Sequence, residues 1–214
     1  MEENFKFYFM IGPKEKKERA LGERLHLKGE RCNSPKCAAV RKPYKPGVHG
    51  PKKRMKTVSE FGRQIMEKQK FKLTYGLDEK GLKRLFNLAE KNVGSTSTRL
   101  LELLELRLDN VIYRAGLASS RLSAHQLIVH GHVLVNNKRV KSPAFQTRNN
   151  DVISFREESK KLKFFAGIKE SLKKFEGPSW LLVDKEKAEA RVIGLPSVDS
   201  ILFEVNILVE SFSK

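Results

Sequence analysis

A change of hydrophobic period between residues 98 and 155 constrains this chain more than any other feature. In TRLLELLELRLDNVIYRAG, residues Leu100, Leu101, Leu104, Leu108, Val111 and Ile112 form one apolar face of a helix, and Gly116 is placed to stop it. The stripe ends too soon for a coiled coil, so this is a domain helix. Ser119 or Ser120 then caps a shorter helix, SRLSAHQLIVHG, with Leu122, Leu127, Ile128 and Val129 apolar and Gly131 closing it. Next, HVLVNNKRVK alternates at Val133, Val135 and Val140 around Asn136-Asn137, residues that tolerate the left-handed backbone of a tight hairpin. After a loop from Pro143 to Asn150, Asp151 leads into the strand VISF. Helix, helix, hairpin and strand specify a small antiparallel sheet with helices packed on it.

The flanks read differently. Residues 1 to about 56 are rich in turn formers and weakly periodic, an irregular arm with one helix near Lys14 to Leu21. Ser59 caps a helix carrying Phe61, Ile65, Met66 and Gln69 and ending near Tyr75-Gly76. Asp78 caps the next, DEKGLKRLFNLAEKN, with Leu82, Leu85, Phe86 and Ala89 on one face and Lys80, Lys83 and Arg84 away from it. Gly94 and STST form a break. Towards the C-terminus SLKKF supplies a helix turn, while WLLVD, ARVIGL and ILFEVNILVESF read as short strands or extended segments. The fold class is α+β.

Charge narrows the function. The 214 residues carry 43 Lys and Arg against 25 Asp and Glu, a formal charge of +18 that calls for an acidic partner, nucleic acid or an anionic surface. A membrane binder would show a basic amphipathic helix with an exposed apolar face, whereas these apolar faces suit helix packing. No apolar run approaches the ~18 residues of a membrane span, and MEENFKFYFMIGP, with Glu2 and Glu3, does not read as a secretory signal. Only two cysteines in a chain of this size suggest a reducing, cytoplasm-like compartment.

Half of the excess charge lies between Arg41 and Lys72, where Arg41, Lys42, Lys45, Lys52, Lys53, Arg54, Lys56, Arg63, Lys68, Lys70 and Lys72 face only Glu60 and Glu67. Tyr44, Phe61, Phe71 and Tyr75 interrupt the charges, and Pro43, Pro46, Gly47, Gly50 and Pro51 stiffen or turn the backbone. That mixture suits an ordered surface tracking phosphates better than a solvated tail. Lys83 and Arg84 extend it. A second constellation, Arg121, His125, Gln126, His130, His132, Lys138, Arg139, Lys141 and Arg148, spans 28 residues without one acid. By composition it is an RNA-contact surface; the ordinary alternative for any one of its histidines is a core or capping hydrogen bond. No cysteine or carboxylate stands close enough in sequence to suggest a catalytic triad or a metal site there.

RLDNVIYRAG, SRLSAHQLIVHGHVLVNNKRVKSPAF and NNDVISF together resemble the small RNA-binding module shared by small-subunit ribosomal protein four, several pseudouridine synthases and some tRNA synthetases. IGP at 11–13, LKGERCNSPKC at 27–37, RKPYKPGVHG at 41–50, EKQKFKLTYGL at 67–77 and the closing LVESFSK are similar to segments of the bacterial-type ribosomal protein four family, in order, over nearly the whole chain. The resemblance implies an arm over 1–45, a helical rRNA-binding domain from 46–95 plus 176–214, and the module inserted at 96–175. It implies a non-catalytic constituent of a bacterial or organellar small ribosomal subunit that binds a helix junction in the 5′ domain of small-subunit rRNA early in assembly. Ribosomal proteins three and five and the mRNA entrance would lie nearby. The alternative is an RNA-modifying enzyme or accessory factor using the same module; a pseudouridine synthase needs a further catalytic domain for which the matched segments leave no room.

The chain departs from that family at several points. His125 stands where arginine is common, replacing a permanent charge by a titratable one. Asn137 and Asn150 stand where glycine is usual, and Ala144 replaces a usual serine. Some members hold a structural zinc on four arm cysteines; Cys32 and Cys37 match the last two, but the first two positions are Glu15 and Glu18, and glutamate is an uncommon structural ligand. The expectation is no cofactor: a degenerate site whose arm is held by packing, by Glu15 and Glu18 pairing with Lys or Arg, and by RNA, and poorly ordered without RNA. Bound zinc, with His26 and His49 completing the tetrahedron although nothing in the spacing favours them, and a disulfide are the minor alternatives.

Overall fold

In the computed structural model, residues 13–51, 58–92, 94–173, 175–196 and 204–213 are described. The chain divides into two compact units, Met1–Phe86 with Phe203–Lys214, and Asn87–Leu202.

In the first unit the arm contains α1 (Lys14–Leu21), α2 (Glu30–Asn33) and α3 (Ala38–Arg41). The long helix α4 (Glu60–Tyr75) starts where the Ser59 hydroxyl accepts the Gly62 N–H and stops at Gly76, whose φ of 63° is left-handed. At the head of α5 (Glu79–Glu90) the Asp78 carboxylate accepts the Gly81 N–H at 2.6 Å. All three signals are those read from the sequence. The last helix of the chain, numbered α11 (Val205–Ser213), packs on α4. Its sequence reads as extended, but Val205, Leu208 and Phe212 recur at three and four, bury Val205 and Leu208, and stack Phe212 on Phe86 at 5.0 Å. A run rich in β-branched residues carries no preference strong enough to resist that packing.

The second unit runs α6 (Thr96–Glu105), α7 (Leu108–Arg114), α8 (Arg121–Val129), β1 (Val133–Val135), β2 (Lys138–Arg139), β3 (Val152–Phe155), α9 (Glu157–Lys160), α10 (Lys163–Lys173), β4 (Leu181–Asp184) and β5 (Glu189–Val192). The strands form one antiparallel sheet, β2-β1-β3-β5-β4. Its inner face, Val133, Val135, Ile153, Phe155, Ala190 and Val192, joins Val111, Ile112, Leu127, Ile128, Leu172 and Trp180 in one core. At the β1–β2 turn Asn136 and Asn137 have φ of 50° and 63°, and Asn150 has 68°: asparagine occupies left-handed backbone where glycine would otherwise serve.

Two expectations are corrected. The helix read as continuous over TRLLELLELRLDNVIYRAG is two, because the chain opens at Leu106-Arg107 to bond another segment. Thr147 N–H and Oγ1 both donate to the Leu106 carbonyl, at 2.9 and 2.8 Å, and Leu108 N–H donates to Phe145 at 2.9 Å. The domain division also moves. Because β5 pairs with β3 and β4 with β5, residues 181–192, expected in the helical domain as part of 176–214, instead complete the module's sheet, while α11 packs on α4.

Candidate nucleic-acid interface

The arm is organised by two carboxylates. Glu15, almost fully buried, accepts from Arg31 Nε at 2.7 Å and from the Ala38 N–H at 3.1 Å, with Lys28 Nζ at 3.5 Å. The Arg31 hydrogen bond is the main reason its carboxyl is held below the ordinary carboxylate range; the Ala38 N–H and the charges of Lys28 and Arg31 add to it against the cost of burial. Glu18 has a different role from the one expected. Its Oε1 accepts the backbone N–H of Leu25 and of Leu27, at 3.1 and 3.0 Å, so it closes a loop rather than neutralising a cation. Cys32 and Cys37 are free thiols, both 1% exposed. Cys32 Sγ accepts the Lys28 N–H at 3.3 Å, and burial pushes its pKa up. Among the described residues no group of three or more His, Cys, Asp or Glu is arranged to hold a metal ion. Of the residues at the four zinc-ligand positions, Glu15, Glu18 and Cys32 each accept hydrogen bonds from protein N–H groups, a different use of those donors from metal binding. Over 13–51 the arm is gathered around these carboxylates, which draw backbone N–H groups and cations to themselves.

Beyond this hub Arg41, Lys42, Tyr44, Lys45 and His49 are exposed in a short loop. Its return is tight: a Cβ at Gly50 would lie 1.8 Å from the Lys45 carbonyl oxygen, so no other residue fits without moving the backbone. Lys52, Lys53, Arg54 and Lys56 lie outside the described residues.

Further along, the structure separates the expected cations into outward and inward groups. Lys83 and Arg84 are exposed on α5. Arg63 is exposed but held by Glu204, with Nη2 2.7 Å from each carboxylate oxygen. Lys70, Lys72 and Tyr75 are buried and Lys68 is partly buried, so these four do not stand on the outward surface expected of them. Lys70, 6% exposed, bonds Glu23 and Glu67, and Lys72, equally buried, bonds Glu79 at 2.8 Å. Lys68 pairs with Glu79 and lies 4.1 Å over the Phe212 ring. Tyr75 is buried and stacked against Phe71. Burial works to raise Glu79, but the bonds from Lys68 and Lys72 outweigh it and hold the carboxyl low. An unpaired cation in that position would be costly, which is why these lysines come with acids.

In the second unit the outward set is closer to expectation. Gln126, His130, Lys138, Arg139, Lys141 and Arg148 are exposed. The β1–β2 turn and the end of α8 meet because Arg139 donates to the carbonyls of Gly131, at 3.1 Å, and His130, at 3.3 Å, capping the helix while leaving charge at the surface. The guanidinium lies so close over Gly131 that a Cβ there would come within 2.3 Å of it. Asp151 links the neighbouring loops, accepting from the Arg148 N–H at 2.7 Å and from Asn136 Nδ2 at 2.8 Å. His132, partly buried, has its Nδ1 2.9 Å from Ser159 Oγ, and burial, then the charges of His130, Arg156 and Arg139, push its pKa down. Arg156, which directly follows β3, stands near enough to act on His132 and pairs with Glu158 at 2.6 Å.

Arg121 and His125 are only partly exposed and serve the module's interior. Arg121 donates to Asn110 Oδ1 at 2.7 Å and lies 4.4 Å over Tyr113. Asn110 in turn donates to the Glu105 carboxylate at 2.8 Å, which also takes Arg114 at 2.9 and 3.0 Å. His125 Nδ1 lies 3.8 Å from the Asp109 carboxylate. The two residues align and support the exposed edge of α8.

Residues 10–105 match the family described as ribosomal protein S4/S9 N-terminal domain, and residues 106–153 match the S4 domain. The boundary between these matches falls at the break between α6 and α7. The small ribosomal subunit protein uS4 of Halothermothrix orenii is 45% identical over 195 residues, covering 90% of this chain and 93% of that protein. That of Desulforamulus reducens is 44% identical over 205 residues, covering 95% and 98%.

Proposed function

Because the chain belongs to the uS4 family of small ribosomal subunit proteins, we propose that it is a structural, non-catalytic constituent of the small subunit that binds rRNA. Two outward basic surfaces carry the binding. One is the arm loop Arg41–His49 with Lys83 and Arg84; the other is the module edge of Gln126, His130, Lys138, Arg139, Lys141 and Arg148. The basic run Lys52, Lys53, Arg54 and Lys56, outside the described residues, belongs with the first by its composition alone.

The observation that carries this reading is the packing of the second surface. Helix end, hairpin turn and loop are tied together by Arg139 and Asp151, so its cations stand at defined spacing before RNA arrives. Such a surface recognises RNA shape and phosphate positions rather than a base code. The target is a helix junction in the 5′ domain of small-subunit rRNA, bound early in assembly, near the mRNA entrance and beside proteins three and five. In the module Asp109 and Asp151 are occupied in structural bonds, which favours a binding role over catalysis. The arm functions without zinc, Glu15 and Glu18 doing the gathering that a metal does in relatives with four cysteines.

Crosslinking in cells, followed by sequencing of the bound RNA, tests the proposal. Reads should concentrate in the 5′ domain of small-subunit rRNA. Reads spread over mRNAs or tRNAs without that enrichment would overturn it.

A further inference from the structure

Arg19, near the end of α1, reaches across 23 and 25 residues of sequence to the exposed basic loop. Its Nε–H is shared between the carbonyl oxygens of Lys42, at 2.8 Å, and Tyr44, at 3.1 Å. The same guanidinium lies over the Tyr44 ring, 5.0 Å from its centre. Lys42 N–H meanwhile donates to Ala38 at 3.0 Å, ending α3. The loop is thus pinned at Lys42 and Tyr44 and turned sharply at Gly47 and Gly50.

The geometry points to Arg19 as a positioning residue for RNA binding: it holds Lys42, Tyr44 and Lys45 in a fixed presentation. This rests on the rRNA-binding reading above. Carbonyls of an exposed loop would otherwise bond water, and the lysines they carry would sample many directions. Fixing them beforehand removes an ordering cost from association. Only arginine suits the position, because a planar guanidinium both bonds carbonyls at its edge and stacks on an aromatic face, whereas a lysine ammonium is a compact point charge on a flexible stem. Arg19 gives its Nε–H and one face of its guanidinium to the loop, which separates its role from that of Lys42 and Lys45. Nothing in the sequence around ERALGER marks it; the pairing exists only once α1 and the loop are packed.

The test uses the full chain and a transcript of the 5′ domain of small-subunit rRNA. Arg19→Lys keeps the charge and is expected to lose about tenfold in affinity, with Arg19→Ala adding little more. In free protein, the amides of Tyr44, Lys45, Gly47, Val48, His49 and Gly50 should exchange faster in both variants. In a Lys42→Ala, Lys45→Ala background, Arg19→Ala should cost much less than it does alone, because the residues it positions are gone. Labelling of Cys32 and Cys37 as slow as in the unaltered chain checks that the arm stays folded. Wild-type affinity in Arg19→Lys, or full additivity in the combined variant, would overturn the inference. Should the Arg19 variants expose the thiols, Tyr44→Ala decides instead. It removes the stacking partner alone, and unchanged exchange of the loop amides would refute the clip. An unaltered chain that prefers an unrelated RNA of equal length would count against rRNA binding itself, while the loop exchange still judges Arg19.

Discussion

Asp109 takes both ends of the Arg107 guanidinium, at 3.1 and 2.7 Å, and the oxygen that accepts the shorter bond lies 3.8 Å from His125 Nδ1. Both partners of this ion pair are almost fully buried. Burial works to raise the Asp109 carboxyl; the Arg107 charge, the nearby His125 and the Arg107 hydrogen bonds overcome it and hold the carboxyl low. The pair sits where α7 begins, beside the crossing that splits the long helical stretch.

Asp109→Ala leaves Arg107 buried without its counter-charge and should cost about 3–5 kcal/mol. At roughly 2–4 °C per kcal/mol for a chain of this size, thermal melting should fall by roughly 6–20 °C. Arg107→Met with Asp109→Leu, which removes both charges, should recover much of the loss. A melting point within 2 °C of the parent for Asp109→Ala would show that the pair carries no such weight.

Glu15 makes the arm acid-sensitive. Its carboxyl is lower in the folded arm than its ordinary value of 4.5, so its contribution is complete above that value and is lost as pH falls through the folded value. Labelling of Cys32 and Cys37 by an acid-tolerant disulfide reagent should therefore accelerate as pH falls below 4.5, relative to unfolded-chain controls. In Glu15→Gln it should be fast already at neutral pH. Equal pH profiles for parent and Glu15→Gln would separate the arm's order from this carboxylate.

Metal removal should do nothing. If the arm is gathered by Glu15 and Glu18, exhaustive chelation leaves melting and thiol protection unchanged, and the purified chain carries far less than one zinc per molecule. A stoichiometric metal whose loss releases the thiols would reverse the reading, because a structural zinc contributes on the order of 10 kcal/mol to such a module.

Outward and inward cations should differ in kind. Lys138→Ala, Lys141→Ala and Arg148→Ala should each weaken rRNA binding and lower the slope of log affinity against log salt by about one, with melting unchanged. Lys70→Ala strands Glu67, which is 6% exposed, and should lower stability with the salt slope intact. An intact slope in the first group, or a reduced one in Lys70→Ala, would invalidate the division.

What could be read from the sequence was whatever depends on near neighbours. Ser59, Asp78 and Gly76 bound α4 and α5 as expected because a cap bonds residues three or four positions away. Asn136-Asn137 marks the hairpin because only a few residue types accept its backbone. The family too is legible in ordered motifs. The candidate interface was legible as a region but not residue by residue: Lys68, Lys70, Lys72 and Tyr75 share the composition of a basic face and yet are buried or partly buried.

The tertiary structure alone decided the rest. A lysine's direction depends on whether Glu23, Glu67 or Glu79 stands within reach, and those acids come from other turns or other elements. The break at Leu106-Arg107 depends on Thr147, some forty residues on, and the fate of Val205–Ser213 depends on α4. Arg19 acquires its place on Tyr44 in the same way. Caps, turns and periods are local energies written in consecutive residues, whereas ion-pair partners and helix breaks are set by which distant backbone and side-chain groups need satisfying once the core has closed.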